Sequence, residues 1–215
     1  MKTQENLTGF VDISDNIPFV LDENGFYKQV DPKPFKYDVG YKEKQSTNKE
    51  MAWLRLGWLS NHIPFEALTD FNVVDIGAGN GVFVEEGKKV FKRIVPYDLA
   101  GDSIEDTELY STTWDLIVMS DVLEHYHSID DLWTIPFRYA LISFPETPPT
   151  DEVDITTWRH YKPDEHIYMM NRWDFRKWVE KNGCSVLGCG SPEDFLRKRW
   201  DKDYINISTF LICRR

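Results

Sequence analysis

Short apolar runs alternate with helix-like stretches along most of this chain, from about residue 48 to its C-terminal end. Runs rich in aliphatic and aromatic residues predict buried strands at 73–76, 93–97, 114–120, 139–144, 185–188 and 205–213. Apolar residues at helical spacing predict helices at about 48–61, 82–91 and 172–182. Gly183 follows the last of these, where a glycine commonly ends a helix. The alternation predicts an α/β fold, a mostly parallel sheet with helices on both faces.

Two regions depart from this alternation. Residues 99–113 are polar, weakly periodic and too few for the usual helix plus strand, so we expect the sheet to be locally reduced there. Residues 1–45 form an irregular N-terminal arm, rich in proline and aromatic residues. Because a disordered segment would carry fewer aromatic side chains, we expect the arm to pack on the domain or cover its site. The remaining residues, 46–215, are predicted to form one folded domain.

Composition narrows the choice of partners and compartment. The chain has 215 residues, enough for one sizeable core, and a formal net charge of −11 at pH 7. That acidity argues against a nucleic-acid backbone as the main partner, and the basic cluster Arg197-Lys198-Arg199 is interpreted as a solvated helix face. Three cysteines without paired spacing favour a reducing compartment. With no signal-like N-terminus and no apolar run of about 20 residues, we expect a cytoplasmic protein that does not insert into membranes.

A glycine-rich turn follows the first predicted strand of the domain, with Gly77, Gly79 and Gly81 at alternate positions. Such a turn lets backbone amides and a helix N-terminus approach a polar ligand. Asp75, two residues before the first glycine, suits a ligand with a positive ammonium group better than a phosphate. Asp98 ends the next strand, where an acid can reach ribose hydroxyls. A nicotinamide dinucleotide site is the alternative, although it requires a third glycine where Val82 stands.

These residues resemble the first motif of the class I S-adenosylmethionine (SAM)-dependent methyltransferases, acid-x-Gly-x-Gly-x-Gly, and most closely the small-molecule enzymes of the Methyltransf_23 and Methyltransf_11 groups. The resemblance implies a Rossmann-like fold of seven strands, the last antiparallel, with SAM as cofactor and S-adenosylhomocysteine (SAH) as product. It also implies that the glycine turn lies against the methionine moiety, that Asp98 binds the ribose and that Asp102 or Asp106 meets the adenine. The implied cofactor contacts are Asp75, Gly77, Ala78, Gly79, Gly81, Asp98, Leu99, Asp102, Ser120 and Asp121.

A second motif, running from Asp121 to His125, directly follows the predicted strand 114–120. It resembles the strand-end segment that borders cofactor and acceptor in many small-molecule methyltransferases. In one interpretation Glu124 and His125 only shape the site through hydrogen bonds. In the other, Asp121, Glu124 and His125 bind a divalent ion, since residues at i, i+3 and i+4 share a helix face. Many relatives with this Glu-His pair use no metal, so we expect none.

A third segment, residues 158–167, is dense in ionisable and aromatic groups and lies in the long connection after strand 139–144. It also resembles a segment of Methyltransf_23-like enzymes, and its position favours the acceptor side of the site. His160 and His166 are therefore our candidates for a general base, with His125 as a third. Arg159 and Lys162 are candidates to pair with an anionic acceptor group. The alternative is an ordinary surface loop whose histidines only make structural hydrogen bonds.

Together these motifs predict a SAM-dependent methyltransferase that modifies a small polar acceptor, such as a sugar or another metabolite, at a hydroxyl. Amino-methylating DNA enzymes carry an acid/Asn-Pro-Pro-aromatic motif where this chain has Ser120-Asp121-Val122-Leu123. A small-molecule acceptor is thus favoured over nucleic acid. Two other functions stay open from the residues alone. One is a nicotinamide-dependent oxidoreductase, and the other is a non-catalytic module that keeps the fold as a scaffold.

Overall fold

A computed structural model of the chain describes residues 19–36, 48–99, 103–197 and 203–214. In these residues the strands are β1 Phe19–Leu21, β2 Tyr27–Gln29, β3 Asn72–Ile76, β4 Arg93–Tyr97, β5 Trp114–Ser120, β6 Phe137–Pro145, β7 Tyr168–Met169, β8 Cys184–Gly190 and β9 Ile207–Arg214. The α-helices are α1 Lys49–Ser60, α2 Phe65–Leu68, α3 Val82–Gly87, α4 Asp106–Ser111 and α5 Arg172–Lys181. Short 3-10 turns occupy Leu123–His125, Ile129–Thr134, Ile155–Thr157 and Pro192–Phe195. None of these helices is long and apolar enough to cross a membrane.

The main sheet has the strand order β4-β3-β5-β6-β9-β8. The first four strands are mutually parallel, whereas β9 runs antiparallel to both of its neighbours. Side chains alternate between two apolar layers, so that Ile117 and Met119 of β5 enter one core and Leu116 and Val118 the other. Helices α4 and α5 pack in the first layer, and α1 and α3 pack in the second. The predicted α/β fold with a mostly parallel sheet and an antiparallel last strand is confirmed.

The sheet contains six strands in the described residues, so the seven-stranded sheet is locally reduced, as expected. In the described residues between β4 and β5, α4 is the only helix or strand. This segment lacks an apolar run that could form an additional strand at the edge of the sheet. The helix predicted at 82–91 ends at Gly87, since glycine has low helix propensity and the chain then turns toward β4.

The sequence suggested an irregular N-terminal arm. The described part of the arm instead forms a hairpin of β1 and β2. The Asp22 carboxylate shapes its turn by accepting hydrogen bonds from the amides of Asn24 and Phe26, both at 2.9 Å. Strand β2 pairs with β7, which makes a second, three-stranded sheet. The Phe26 side chain is fully buried in the main core. This part of the arm therefore packs on the domain, as expected, while residues 1–18 and 37–47 lie outside the described residues.

Candidate cofactor and acceptor site

The glycine turn links β3 to α3 and is tied to the end of β4. The amide of Gly77 donates a hydrogen bond to the Tyr97 carbonyl at 2.7 Å. Gly77 has φ +70°, and a Cβ at this position would stand 2.3 Å from Cγ2 of Val122. Only glycine therefore meets both the backbone conformation and the close approach of the segment that follows β5. Gly81 caps α3 with φ +74°, so the first turn of that helix starts directly from the motif.

Asp75 is buried at the carboxyl end of β3, with 4% of its surface exposed. Burial raises its pKa from 3.8 to about 7; the charge of Arg55 opposes this rise, and the charge of Asp98 adds to it. The carboxyl group is thus partly protonated at neutral pH in the free protein. A cation that approached Asp75 would favour the ionised form, because opposite charges stabilise each other in a poorly solvated site.

The structure places the other predicted cofactor residues as follows. The Oδ2 atom of Asp98 accepts a hydrogen bond from the Gly79 amide at 2.8 Å, so this carboxylate braces the glycine turn. A carboxylate can accept several hydrogen bonds, and the contact is therefore compatible with the predicted ribose role. Leu99 is 80% exposed, and Asp106 accepts a hydrogen bond from the Tyr97 hydroxyl at 2.8 Å. Asp102 lies outside the described residues. The roles of these residues stay predictions.

A cavity of about 510 Å³ opens at the carboxyl ends of β3, β5 and β6. Sites for small molecules commonly measure roughly 300–1,000 Å³, and in open α/β sheets they lie at this end of the strands. Three groups of residues contribute to its wall. They are Asp75, Gly77 and Ala78 at the end of β3 and in the glycine turn, Ser120, Asp121, Glu124 and His125 at the end of β5 and after it, and Arg159, His160, Lys162, Glu165 and His166 before β7. The three motifs selected from the sequence are therefore brought together around one cavity. Gly79, Gly81 and Asp98 are not among its lining residues.

One network of charged side chains lies at this cavity, and Arg55, Asp121 and Arg197 of this network line it. Asp121 has φ +55°, and its Oδ2 accepts a hydrogen bond from a guanidinium nitrogen of Arg197 at 2.5 Å. Arg197 also contacts Glu193 at 2.6 Å, and Glu193 in turn accepts from Arg55 at 2.7 Å. Burial opposes ionisation of Asp121, but the charges of Arg197 and Arg55 outweigh it and lower the pKa of the carboxyl. Asp121 is thus held as an anion by two cations.

Sequence reasoning missed three members of this network, Arg55, Glu193 and Arg197. The interpretation of Arg197 as part of a solvated helix face is wrong, because only 18% of its side chain is exposed and it is paired with two carboxylates. Lys198 and Arg199 lie outside the described residues. Two of the three ion pairs, Arg55–Glu193 and Asp121–Arg197, join residues more than 70 positions apart along the chain. No local sequence pattern could have revealed these two pairs. The i, i+4 spacing of Glu193 and Arg197 was the one available signal.

The three candidate histidines line the cavity and are held by specific hydrogen bonds. The Nδ1 atoms of His125 and His166 lie 2.6 and 2.8 Å from the carbonyl oxygens of Glu165 and His160. A carbonyl can only accept, so each Nδ1 carries a proton and each neutral ring keeps its lone pair on Nε2. His160 is different, because its Nε2 lies 2.8 Å from Oδ1 of Asn206 and donates to it.

Burial lowers the pKa of all three histidines. The pKa of His160 falls to about 4, that of His166 lies well below 6.5, and that of His125 is lowered as well. For His166 the neighbouring charge of His125 adds to the effect of burial. The rings are therefore neutral at pH 7 and in the protonation state that a base requires.

The hairpin of the arm holds the histidine-bearing segment in place. The side chain of Gln29 donates to the Asp164 carboxylate and accepts from the Asp164 amide, each at 2.7 Å. Its backbone amide donates to the Ile167 carbonyl at 2.8 Å. Phe19 packs against Trp158 in a separate apolar cluster, and Phe35 lines the cavity. The segment is thus not an ordinary surface loop, since it is anchored by buried contacts.

The structure also changes the ligand set considered for a metal. Ligand atoms of Glu124, His125 and His166 all lie within 4.8 Å of one another. Asp121, the third member of the set considered from the sequence, binds Arg197 and does not belong to this group. Its place is taken by His166, which comes from a different segment of the chain.

Residues 41–188, more than half of the chain, match the Methyltransf_23 family, which is a methyltransferase domain family. The chain belongs to this family. The predicted class I methyltransferase relationship is thereby confirmed, and the matched range contains the glycine turn, the segment after β5 and all three candidate histidines of this methyltransferase. A comparison with curated proteins found no match.

Solved methyltransferases share the fold of this family member at low sequence identity. Magnesium protoporphyrin IX methyltransferase from Synechocystis PCC 6803, with bound SAH, is 15% identical, with a TM-score of 0.55 over 85% of this chain and 90% of that one. A SAM-dependent methyltransferase from Clostridium acetobutylicum is 12% identical, with a TM-score of 0.55 over 80% and 94%. One from Aquifex aeolicus is 13% identical, with a TM-score of 0.55 over 82% and 98%. These similarities establish the fold.

Proposed function

We propose that this methyltransferase moves a methyl group from SAM to a hydroxyl oxygen of a small polar acceptor. One observation carries the proposal: a single cavity is lined both by residues of the glycine turn and by His125, His160 and His166. Family membership supports methyl transfer rather than the hydride transfer of the nicotinamide alternative. The net charge of −11 supports a small acceptor over a nucleic-acid backbone.

The residues around the glycine turn fit SAM. Asp75 offers a buried carboxyl group to an ammonium group, and Gly77 of the turn lines the same cavity. Asp98 stands beside the turn as the candidate for the ribose hydroxyls. When bound, SAM supplies an electrophilic methyl group on a positively charged sulfur.

The histidine side of the cavity fits the needs of the acceptor. Methyl transfer is an in-line displacement, so the protein mainly has to hold the acceptor oxygen in line with the methyl group. As the new oxygen–carbon bond forms and the carbon–sulfur bond breaks, the hydroxyl proton passes to a base. His125 and His166 present Nε2 lone pairs for this task, whereas His160, bound to Asn206, is assigned to positioning. Arg159 and Lys162 line the cavity as candidates to contact an anionic group of the acceptor.

Calorimetric titration with SAM, SAH and NAD tests the cofactor assignment. We expect micromolar binding of the two sulfur ligands, at least about tenfold weaker binding by Asp98→Ala, and no binding of NAD. Asp70→Ala is the matched control, because it removes an exposed acid before β3, at the other end of the strand. Binding of NAD alone would support the oxidoreductase. Failure of both sulfur ligands to bind would overturn the proposal, and binding of SAM without turnover across an acceptor screen would support the scaffold.

A further inference from the structure

Glu124 is buried in a manner that the proposed methyl transfer does not explain. Its side chain is about 1% exposed, and neither carboxylate oxygen has a hydrogen-bond partner in the part of the chain that the structure describes. Buried carboxyl groups are normally paired or hydrogen-bonded, because burying a polar group without a partner is unfavourable. The group lines the cavity, so a ligand could supply the missing contacts.

Two histidines lie close to this carboxyl group. Nε2 of His125 lies 4.0 Å from Oε1 of Glu124, and the His125 and His166 rings are 4.9 Å apart between centroids, at nearly a right angle. In both rings the protonated Nδ1 donates to a backbone carbonyl, which fixes the tautomer and the ring orientation. Metal-binding histidines typically make this outer hydrogen bond.

We propose that Glu124, His125 and His166 form a binding site for one divalent transition-metal ion at the wall of the cavity. The ligand atoms already lie within 4.8 Å of one another. An ion at about 2.0–2.2 Å from each atom would draw them to about 3.5 Å apart, a movement of roughly 1 Å per side chain. The tautomers required for binding are already set by the backbone.

The donor set determines the kind of ion. Two imidazole nitrogens and one carboxylate favour Zn²⁺, Co²⁺ or Fe²⁺ over Mg²⁺ and Ca²⁺, which prefer oxygen ligands. With the ion bound, His125 and His166 are ligands and no longer serve as the base, and the remaining coordination position takes an oxygen of water or of the acceptor, as in catalytic metal sites. Because all three side chains line the cavity, this position is accessible to a bound small molecule.

Metal binding by the full chain tests this inference directly. The protein is treated with a chelator and titrated with ZnCl₂ by calorimetry, and CoCl₂ is followed by its visible absorption. Glu124→Gln and His166→Ala each remove one ligand, and circular dichroism verifies that both variants fold. The matched control is His127→Ala, which removes an exposed histidine two positions from His125.

We expect one equivalent of Zn²⁺ to bind to the wild type and to His127→Ala, and at least about tenfold weaker binding to each ligand variant. Failure of both ions to bind, or equal binding by the wild type and both ligand variants, would overturn the inference. Loss of binding in His127→Ala would also contradict it. The experiment needs no SAM, so a protein that binds SAM but no Zn²⁺ refutes the metal site alone, and the reverse result refutes the proposed function alone.

Discussion

The ionisation of Asp75, the carboxyl group proposed to bind the cofactor's ammonium group, should destabilise the ligand-free protein. Its carboxyl group is buried at the end of β3, and burial raises its pKa from 3.8 to about 7. An acid whose pKa is higher in the folded protein than in the unfolded chain destabilises the fold when it ionises. As the pH rises, the unfolded chain loses the Asp75 proton at a lower pH than the folded protein does. Between about pH 4 and pH 7 the contribution of Asp75 to the free energy of unfolding therefore falls as the pH rises.

The size of the effect follows from the two pKa values. The difference between 3.8 and about 7 corresponds to roughly 4 kcal/mol at a pH above both, and access of water to the cavity makes this an upper limit. Asp75→Asn keeps the shape of the side chain and removes the ionisation. We expect the variant to exceed the wild type in free energy of unfolding by roughly 2–4 kcal/mol at pH 8, and by much less at pH 4.5.

Urea denaturation of the ligand-free protein at the two pH values measures this difference. Asp70→Asn is the control, because its exposed carboxylate should change the free energy of unfolding by a similar small amount at both pH values. The reasoning is refuted if Asp75→Asn is no more stable than the wild type at pH 8, or if its advantage does not depend on pH. Saturating SAM should reverse the order of stability, since the cofactor's ammonium group stabilises the ionised carboxylate of the wild type.

Three further predictions concern packing and charge. Gly77→Ala should lower the free energy of unfolding by roughly 1–3 kcal/mol in urea, because a Cβ would stand 2.3 Å from Val122 at a positive φ. Arg197→Met should lower it by roughly 2–4 kcal/mol, because the buried Glu193 carboxylate and the half-buried Asp121 carboxylate lose their shared cation. Gln29→Leu should speed amide hydrogen exchange in residues 158–167, because the Asp164 carboxylate and amide each lose a hydrogen bond.

Each of these predictions has a contrary result. Wild-type stability in Gly77→Ala would mean that Val122 yields without strain, and combining it with Val122→Ala should recover part of the loss. An unchanged free energy of unfolding in Arg197→Met would mean that water solvates the ion pairs. Unchanged exchange in Gln29→Leu would mean that the hairpin does not hold the histidine-bearing segment.

The parts of this fold that the sequence predicted well are those whose pattern is local. Strand β5 was predicted at its observed bounds, because the apolar run Leu116–Met119, with Trp114 before it and polar residues around it, has few other solutions. The glycine turn was found because its backbone conformation requires glycine at fixed spacing. The end of helix α5 was predicted within one residue, because Gly183 follows it, whereas its N-cap Asn171 was not identified from the sequence.

The features that sequence reasoning missed depend on contacts between distant segments. In the sequence, Arg197 belongs to a basic cluster of a kind that is usually solvent-exposed. Only the folded chain brings it to Asp121, 76 positions away. The same holds for the approach of His166 to Glu124, 42 positions away along the chain, with ligand atoms within 4.8 Å of each other. The hairpin of the arm was missed because its strands are three residues each, too short for a periodic pattern to emerge.

A crystal structure of the protein with SAH tests the central claim most directly, namely that one cavity holds both the cofactor and the acceptor. We expect the amino acid end of SAH beside Asp75 and Gly77, its ribose within hydrogen-bond distance of Asp98, and its sulfur facing the part of the cavity lined by His125 and His166. SAH bound elsewhere, or with its sulfur turned away from these histidines, would contradict the claim.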